Sequence, residues 1–283
     1  MIHPFNRESM NILITGATGF IGRNLTPFLI KEGHNIHALI RPTTKPDFLF
    51  TDKVVVFEDD IPALADYLKS NRIDGIIHLA TLYLNTHRPE QIAELVKSNV
   101  YLGTAILEAA VAANVKWFLN TGTIWQNFNA PAYSKQYCPV NLYAASKQAF
   151  VDMAKYYVEM SDIRFATLKL CDTYGENDTR KKIYSLFEQI AKTGETLDMS
   201  PGEQKMDLVH ISKVLDSFLK LTELLHSDDE FEDEYVVSSG QHRTLKEIAE
   251  QYEIAHNVKL NINWGGKPYR DREVMEPYIG KEI

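Results

Sequence analysis

Tyr143 and Lys147 stand four positions apart in the segment LYAASKQ, residues 142–148. On a helix this spacing puts both side chains on one face, one turn apart. A free phenol has a pKa of about 10, and a neighbouring ammonium stabilises its ionised form and lowers that pKa. The pair could therefore exchange a proton with a substrate at neutral pH, whereas the same spacing on an ordinary half-exposed helix would have no chemical role.

Thr123 adds a hydroxyl to this pair. It follows the apolar run Lys116–Asn120, which is typical of a buried strand, and doubly wound sheets hold their chemistry at the carboxyl ends of such strands. A hydroxyl at that place can donate a hydrogen bond to a substrate carbonyl oxygen beside Tyr143. Thr123, Tyr143 and Lys147 together predict proton transfer to or from such an oxygen.

A third motif, GATGFIG at residues 16–22, follows the apolar run Asn11–Thr15 and opens a helical pattern. Glycine is needed where the backbone turns sharply and approaches a pyrophosphate, and the free N–H groups of the helix N-terminus attract phosphates. A glycine-rich turn without a ligand is the alternative. Because this turn follows the first strand of an alternating pattern, we expect it to bind a dinucleotide. The expected contacts are Gly16, Thr18, Gly19, Phe20, Ile21 and Gly22.

The elements that must position these motifs alternate along the first two-thirds of the chain. Apolar runs bounded by turn residues predict strands, and longer amphipathic stretches predict helices. The predicted strands are Asn11–Thr15, Asn35–Ile40, Lys53–Phe57, Gly75–Leu79, Lys116–Asn120 and Arg164–Leu170, and the predicted helices are Phe20–Glu32, Pro62–Asn71, Pro89–Ala113 and Leu142–Met160. The fold class is therefore α/β, with a Rossmann-type doubly wound parallel sheet over residues 1–174. A smaller C-terminal α/β lobe, mainly residues 175–283, is expected to bind the substrate.

Composition restricts the class of protein. Of 283 residues, 45% are hydrophobic and 24% charged, as in an ordinary folded domain, and the net charge of −8 gives no attraction to nucleic acid or an anionic membrane. The first ten residues lack the apolar run of a signal peptide, and we see no uninterrupted apolar stretch of membrane-spanning length. Two cysteines without metal-ligand spacing predict neither a disulfide framework nor a metal site, so we expect a cytoplasmic protein.

The end of the second strand predicts which dinucleotide binds. An acidic residue there bonds a ribose 2′-OH, and an arginine accepts a 2′-phosphate. Here the strand Asn35–Ile40 is followed by Arg41 and by no carboxylate. We therefore expect NADP(H), with Arg41 at its 2′-phosphate and Arg23 as a second candidate. NAD(H) stays open, because Arg41 could equally be a solvated surface residue.

These motifs together resemble the signature of the extended short-chain dehydrogenase/reductases, the group of nucleotide-sugar epimerases, dehydratases and reductases. The resemblance rests on residues 16–22, HLA at 78–80, Asn99, Thr123 and the Tyr143–Lys147 pair, and covers nearly the whole chain. It implies that Thr123 and Tyr143 bind the reacting oxygen, that Tyr143 relays the proton, and that Asn99 steadies the active site. It also implies that Lys147 holds the nicotinamide ribose. Further implied cofactor contacts are Asp60, Ile61, Leu79, Ala80 and Thr81.

Residues 120–126, 142–150 and 168–175 further resemble the reductases that make CDP-3,6-dideoxyhexoses. This implies NADPH-dependent reduction of the C4 ketone of a CDP- or dTDP-linked 4-keto-deoxysugar, in the pathway to O-antigen or another surface glycan. A diphosphate calls for cations and a sugar for polar and aromatic side chains. The candidates for these contacts, each of which could instead be a packing or surface residue, are Tyr83, Asn85, Trp125, Asn127, Arg180, Lys182, Lys205 and Arg270.

The chain departs from the family pattern on the substrate side. Thr123 and Tyr143 are only twenty residues apart, and Trp125 and Gln126 replace the usual Val-Tyr-Gly. Met206 occupies the place where many relatives have a phosphate-binding arginine, so we expect Lys205 to take over that contact. The substrate-side loop is therefore expected to be unusual.

Two alternative functions stay open. An NAD-dependent nucleotide-sugar epimerase would retain and recycle its cofactor, and Arg41 argues against it because recycling goes with NAD. A non-catalytic NADP-binding sensor or scaffold would have no need of Thr123, Tyr143 and Lys147 together. The resemblance also implies a homodimer through the helices Pro89–Ala113 and Leu142–Met160.

Overall fold

A computed structural model describes residues 8–44, 50–176 and 178–283 of the chain. Within these ranges the strands, numbered along the chain, are β1 (Asn11–Thr15), β2 (Asn35–Ile40), β3 (Val54–Val56), β4 (Gly75–His78), β5 (Trp117–Thr123), β6 (Arg164–Leu170), β7 (Asp172–Tyr174), β8 (Leu197–Met199), β9 (Lys205–His210), β10 (Glu234–Val237), β11 (His242–Thr244) and β12 (Ile262–Trp264). The α-helices are α1 (Phe20–Lys31), α2 (Ile61–Ser70), α3 (Ile92–Val96), α4 (Leu102–Ala112), α5 (Leu142–Met160), α6 (Ile183–Thr193), α7 (Ile211–His226) and α8 (Leu245–His256).

The central sheet has seven parallel strands in the order β10-β6-β5-β4-β1-β2-β3. Helices cover both of its faces: α1 packs with α7, and α2, α4 and α5 pack with one another. Every residue of β4 and β5 is buried. This agrees with the near-continuous apolar runs in the sequence, which predicted strands covered on both faces. The predicted α/β doubly wound fold is therefore confirmed.

The order of the strands reverses between β1 and β4. The chain runs outward from β1 through β2 to the edge strand β3, then crosses back so that β4 lies on the other side of β1. Doubly wound sheets open a crevice at such a point, outside the carboxyl ends of the strands. The glycine motif and the loop after β4 meet there.

The smaller lobe has its own core around Phe187, Ile190, Leu245 and Ile248, between α6 and α8. Two short sheets belong to it, β11-β9-β7 and β12-β8. The chain returns to the large domain on the way, because α7 packs on α1 and β10 pairs with β6. The smaller lobe thus contains most, but not all, of the chain after residue 174.

The predicted helix 89–113 is a continuous helical run with an irregular centre. A 3₁₀ turn (Pro89–Gln91) leads into α3, and a π-helical turn (Lys97–Tyr101) joins α3 to α4. Within the described residues, the run Pro89–Ala112 is the single helix long and apolar enough to span a membrane by length and composition. Some of its apolar side chains pack in the protein interior, where Leu95, Ile106 and Leu107 are fully buried.

Candidate active site

The glycine turn after β1 brings backbone segments so close together that there is no room for a Cβ atom on Gly16 or Gly22. Gly16 has a φ of +70°, and a Cβ at this residue would lie 2.7 Å from the Ala80 nitrogen. A Cβ on Gly22 would lie 2.3 Å from the Gly16 oxygen. The helix α1 then begins with Gly19 as its N-cap and has no side-chain cap, so its first N–H groups are available to a ligand. These residues fit the pyrophosphate of a dinucleotide.

A hydrogen-bond chain ties this turn to the loop after β4. The Ala80 N–H donates to Thr15 Oγ1 over 3.1 Å, and Thr15 Oγ1 lies 2.9 Å from His78 Nδ1. Burial and the nearby Lys147 charge lower the pKa of His78 to about 3, so its ring is neutral at neutral pH. The contact with Ala80 leaves the Thr15 hydroxyl proton free to be donated to His78 Nδ1. The ends of β1 and β4 are held together in this way.

A cleft of about 540 Å³ opens between these two loops and the ends of β5 and β6. Its volume lies within the range of ligand pockets. It brings together most of the predicted cofactor and catalytic residues. Those that line it are Gly16, Thr18, Gly19, Phe20, Ile21, Gly22, Arg41, Leu79, Ala80, Thr81, Thr123 and Tyr143.

Several cleft residues were not predicted. Cys171, Asp172 and Thr173 follow β6 directly, and Thr121 lies within β5. The rule that placed Thr123 at a strand end would have found the first three, since they come directly after a predicted strand. Glu94 and Ser98 also line the cleft. They come from a helix that passes the site, and no local pattern marks them.

Thr123 and Tyr143 face the same cleft, and both are buried. Thr123 caps the 3₁₀ turn Ile124–Gln126: its Oγ1 accepts from the Trp125 N–H over 3.3 Å. The Gln126 side-chain oxygen accepts in return from the Thr123 N–H over 2.9 Å. This reciprocal cap fixes the Thr123 backbone at the end of β5.

Burial raises the pKa of the Tyr143 phenol, and the neighbouring Tyr83 adds to the rise. The two rings meet edge to face, with centroids 5.1 Å apart. A hydrogen bond with the Thr81 side chain acts in the opposite direction and lowers the pKa. We expected Lys147 to lower it. In the structure described the net shift of this pKa is upward and not downward, because removal from water dominates at the phenol.

Lys147 is itself almost fully buried, with 2% of its surface exposed. Burial lowers the pKa of its ammonium to about 8. Among the residues that the structure describes, no carboxylate forms an ion pair with it. A buried cation without a partner destabilises a fold, so this lysine indicates a role that requires a ligand.

Asn99 lies in the π-helical turn Lys97–Tyr101 and is buried. Its side chain contacts the loop after β4 at Thr81 and Leu82, and the helix α5 at Ser146. It thus joins two of the elements that carry cleft residues. π turns occur often at functional sites, because they turn a helical side chain out of register.

The remaining cofactor candidates are placed differently. Arg41 is exposed at the rim of the cleft, where its backbone N–H donates to Thr44 Oγ1. Arg23 donates from Nε to the Thr18 carbonyl oxygen over 2.7 Å. Asp60 caps α2 by accepting from the Ala63 N–H over 3.0 Å, and does not line the cleft.

Ile61 does not line the cleft; it packs against the hydrophobic cluster that includes Leu64 and Leu68 of α2. The structure thus gives Asp60 and Ile61 a role in the α2 turn, and their cofactor role stays a prediction.

Four predicted substrate residues line the cleft: Tyr83, Trp125, Arg180 and Lys182. Both cations lie over aromatic rings, Arg180 at 4.0 Å from the Phe20 centroid and Lys182 at 4.8 Å from that of Tyr83. Each cation also has a carboxylate partner. Arg180 pairs with Asp178 over 2.7 Å, and Lys182 pairs with Asp172 over 3.3 Å. Asn177, at the start of the predicted basic segment, lies outside the described residues.

The structure does not bring the other four substrate candidates into the cleft. Asn127 is buried in the loop after β5: its Oδ1 accepts from Lys169 Nζ over 2.8 Å, and its Nδ2 donates to the Gln136 oxygen. Lys205 pairs with Glu276 over 2.8 Å.

Arg270 donates from Nη1 to Asn85 Oδ1 over 3.1 Å, so these two candidates bind each other across the two lobes. Loop position suggested a sugar contact for Asn85 and Asn127, and the resemblance implied a phosphate contact for Lys205 and Arg270. Polar partners elsewhere in the protein bind these four side chains outside the cleft.

A second cavity, of about 250 Å³, lies in the smaller lobe next to the cleft. Thr173 and Lys182 line the cleft, whereas Tyr174 and Tyr184, which are close to them in the chain, line the second cavity. Met206 lines the second cavity, but Lys205 does not. Its other lining residues include Leu208, His210, Lys213, Gln241 and Arg243.

The model of the NAD dependent epimerase/dehydratase family matches residues 12–237. The chain belongs to this family. Among its relatives are CDP-abequose synthases from Salmonella muenchen, 35% identical with 94% of this chain and 88% of the relative covered, and from Yersinia pseudotuberculosis, 30% identical with 95% and 92% covered. The fold is similar to that of UDP-glucose 4-epimerase with UDP-glucose from Thermotoga maritima, with a TM-score of 0.80, 18% identity and coverage of 95% and 89%.

Family membership confirms the resemblance drawn from the motifs. The chain is therefore an NAD(P)-dependent oxidoreductase of the extended short-chain group.

The buried Lys147 makes a prediction about stability. Its pKa in the folded chain, about 8, lies below the ordinary value of 10.5. The folded state therefore disfavours the ammonium, and the displacement corresponds to about 3 kcal/mol. This cost is fully present below pH 8 and fades as the pH rises towards 10.5. We expect Lys147→Met to abolish turnover yet raise the free energy of unfolding at pH 7, and to lose that advantage at pH 10.

Urea denaturation of both proteins at the two pH values measures the effect. Lys155→Met, on the exposed side of the same helix, is the control. A Lys147→Met protein that is less stable than the parent at pH 7 would contradict the prediction.

Proposed function

We propose that the protein uses NADPH to reduce the C4 ketone of a nucleotide-diphospho-4-keto-deoxysugar, as a step towards a surface glycan. One observation carries the proposal: Thr123 and Tyr143 face the same cleft that the glycine turn opens. The relatives at 35% and 30% identity, CDP-abequose synthases by name, support the substrate class. A CDP-linked sugar is therefore favoured over a dTDP-linked one.

The residues of the chain divide the work as follows. Thr123 and Tyr143 hold the ketone oxygen between two hydroxyl groups. Tyr143 gives its phenolic proton to that oxygen as the oxygen becomes an alcohol. The reduced nicotinamide, when bound, supplies the hydride that reaches C4. Lys147 holds the nicotinamide ribose, and its ammonium gains the partner that the buried chain does not provide.

The aromatic side chains Tyr83 and Trp125 suit a deoxysugar. Their rings lie 5.9 Å apart beside Tyr143, at the catalytic end of the cleft. Ring faces pack well on carbon that lacks hydroxyl groups, since no polar group is then left without a hydrogen bond. A fully hydroxylated hexose would leave hydroxyl groups facing these rings.

Arg180 and Lys182 are the proposed diphosphate ligands. In the chain alone they are paired with carboxylates, so a diphosphate must displace Asp178 and Asp172 or share the cations with them. The second cavity is the proposed site of the nucleotide base, because consecutive residues line both cavities. We also propose a cytoplasmic location, as for an enzyme with two free cysteines.

NADPH is the proposed cofactor because of Arg41. It is exposed at the cleft rim, next to the end of β2. Its guanidinium can therefore form two hydrogen bonds with a 2′-phosphate.

Turnover tests the proposed function directly. With CDP-4-keto-3,6-dideoxyhexose or dTDP-4-keto-6-deoxyhexose as substrate, we expect stoichiometric oxidation of NADPH, followed by absorbance. Tyr143→Phe should lose at least about a hundredfold in rate, because the proton donor is removed. Interconversion of sugars without net oxidation, on a retained NAD, would make the protein an epimerase instead. Cofactor binding without any turnover would favour the sensor.

Cofactor choice is tested at Arg41. We expect Arg41→Ala to raise the KM for NADPH by about tenfold, the effect of losing one charge-assisted contact, and to leave the KM for NADH as it was. The matched control is Arg23→Ala, since that guanidinium already binds the Thr18 carbonyl oxygen. Equal effects of Arg41→Ala on both cofactors would remove the basis for NADP.

A homodimer is proposed from an apolar stripe on neighbouring helices. Met153, Tyr156 and Met160 are exposed on α5, and Ile92 and Val96 are exposed on α3. The two helices contact each other, so both groups of side chains lie on neighbouring elements. Exposed apolar surface of this kind marks an interaction site.

We expect light scattering to give a dimer for the parent chain and a monomer for Tyr156→Asp, in which a charge would be buried at the interface. Ile254→Asp is the control, because Ile254 is even more exposed but lies on α8, away from the stripe. A monomeric parent chain at micromolar concentration would refute the dimer.

A further inference from the structure

One guanidinium from the loop between β7 and α6 lies against the glycine turn. The guanidinium carbon of Arg180 is 4.0 Å from the centroid of the Phe20 ring. Phe20 is the first residue of α1 and belongs to the turn that fits a pyrophosphate. The loop that carries two proposed substrate ligands, Arg180 and Lys182, therefore contacts the cofactor side of the cleft at this point.

The position of this guanidinium is fixed by hydrogen bonds within its own part of the chain. Nε and Nη2 donate to the two carboxylate oxygens of Asp178, each over 2.7 Å. Nη2 also donates to the Thr173 carbonyl oxygen over 2.8 Å. The backbone is held as well, because the Arg180 carbonyl oxygen accepts from Ser185 Oγ over 3.0 Å. The contacts of the chain itself are therefore enough to hold Arg180 over Phe20.

These bonds use only part of the guanidinium. Asp178 and Thr173 bind Nε and Nη2, whereas Nη1 has no hydrogen-bond partner among the residues that the structure describes. Arg180 is half-buried and lines the cleft. The two N–H groups of Nη1 are therefore left for a ligand, and a phosphate oxygen suits them because such a bond is charge-assisted.

The helix behind Phe20 makes an anion the expected ligand of this nitrogen. A cation at the N-terminus of a helix is unfavourable, since the first N–H groups of the helix carry partial positive charge. Arg180 nonetheless lies at the first residue of α1, and the first turn of that helix contains no acidic residue. Asp178 offsets part of the positive charge. A phosphate at this place would meet the helix N–H groups and Arg180 together.

Two negatively charged ligands have to share this cleft. The proposed cofactor and the proposed substrate each carry a diphosphate, and the turn for one and the cations for the other line the same space of about 540 Å³. Anions that approach each other in a partly buried site repel, unless a cation lies between them. Arg180 has the position for this, because it contacts Phe20 of the cofactor turn and pairs with Asp178 in the loop before α6.

We propose that Arg180 is a counter-ion shared by the two sites: Nη1 binds the cofactor pyrophosphate, and the edge held by Asp178 binds the substrate diphosphate. The proposal rests on the proposed function, in which Arg180 and Lys182 bind the diphosphate of the substrate. It adds a cofactor contact that sequence position does not indicate, since Arg180 and Phe20 are far apart in the chain.

Cofactor binding alone tests the first contact. Arg180→Met removes the charge and keeps a long side chain, and we expect it to raise the Kd of NADP⁺ by about tenfold, as for the loss of one charge-assisted bond. Arg180→Lys keeps the charge and should recover most of the affinity. Lys181→Met is the control, because Lys181 is exposed in the same loop. Titration calorimetry measures the dissociation constants, and circular dichroism shows whether each variant keeps the parent fold.

The ring of Phe20 tests where the guanidinium acts. Phe20→Leu keeps the backbone of the turn and removes the ring face on which Arg180 lies. If Arg180 binds the cofactor from this place, Arg180→Met should cost clearly less affinity for NADP⁺ in the Phe20→Leu background than in the parent chain. An equal cost in both backgrounds would overturn the proposal.

Binding of CDP, the diphosphate probe, tests the second contact. In the parent chain we expect saturating NADP⁺ to change the Kd of CDP by less than about threefold, because Arg180 offsets the repulsion between the two diphosphates. In Arg180→Met, NADP⁺ should raise the Kd of CDP by about tenfold, since that repulsion is no longer offset. Lys182→Met is the matched control. Lys182 lies over Tyr83, so its loss should weaken CDP binding equally with and without NADP⁺.

The outcomes separate this inference from the proposed function. If Arg180→Met binds NADP⁺ as tightly as the parent chain, or if NADP⁺ affects CDP binding equally in both proteins, the inference is wrong, and turnover still decides the proposed function. If the parent chain neither binds CDP nor reduces the ketosugars, the proposed function fails. The titrations with NADP⁺ alone then show whether Arg180 belongs to the cofactor site.

Discussion

The close approach of the ends of β1 and β4 is the constraint on which the site depends. Gly16 lies against the Ala80 backbone, with no room for a side chain between them. The Thr15 hydroxyl bridges Ala80 and a neutral His78 across the same gap. Two loops therefore leave the sheet side by side, one carrying the glycine turn and the other carrying Thr81. The order of the strands then places the ends of β5 and β6 opposite them, and the cleft is the space that remains.

The electrostatics of this site combine a neutral phenol, one buried ammonium without an ion-pair partner among the described residues, and cations that have carboxylate partners. Burial raises the pKa of Tyr143 and lowers that of Lys147, so both residues are driven towards their uncharged forms. Arg180 and Lys182 carry their charges with a carboxylate beside each. A site of this kind holds its buried titratable groups at some cost to stability, and a ligand that supplies charge and hydrogen bonds would offset that cost.

The short connection between Thr123 and Tyr143 is stabilised by its own contacts. After the turn at Ile124–Gln126, the Val140 N–H donates to the Trp125 oxygen, and the Asn141 side chain accepts from the Ala144 N–H as the N-cap of α5. The connection therefore returns directly to the start of α5. Twenty residues suffice because the loop folds back on the strand end and not over the cleft.

Much of this protein could be predicted from its sequence, wherever one local pattern decides the structure. The strands of the central sheet were found because they are apolar runs buried on both faces, and the glycine turn because its spacing has one physical use. The strands β7, β8, β9, β11 and β12 were missed; all but β9 have only three residues, which cannot show a period. Thr123 and Tyr143 were identified by strand end and helical spacing, and both line the cleft. Their roles there stay predictions.

Only the tertiary structure decided which polar residues are free to meet a ligand. By sequence alone, Asn127 and Lys205 are substrate candidates of the same standing as Trp125 and Lys182. In the structure, however, Asn127 accepts a hydrogen bond from Lys169 and Lys205 pairs with Glu276. Both partners are far away along the chain. The same holds for the pKa of Tyr143. Spacing pointed to Lys147, whereas the structure shows burial, Tyr83 and Thr81 as the causes. Local sequence determines backbone geometry, because that depends on neighbours in the chain; burial and hydrogen-bond partners depend on neighbours in space.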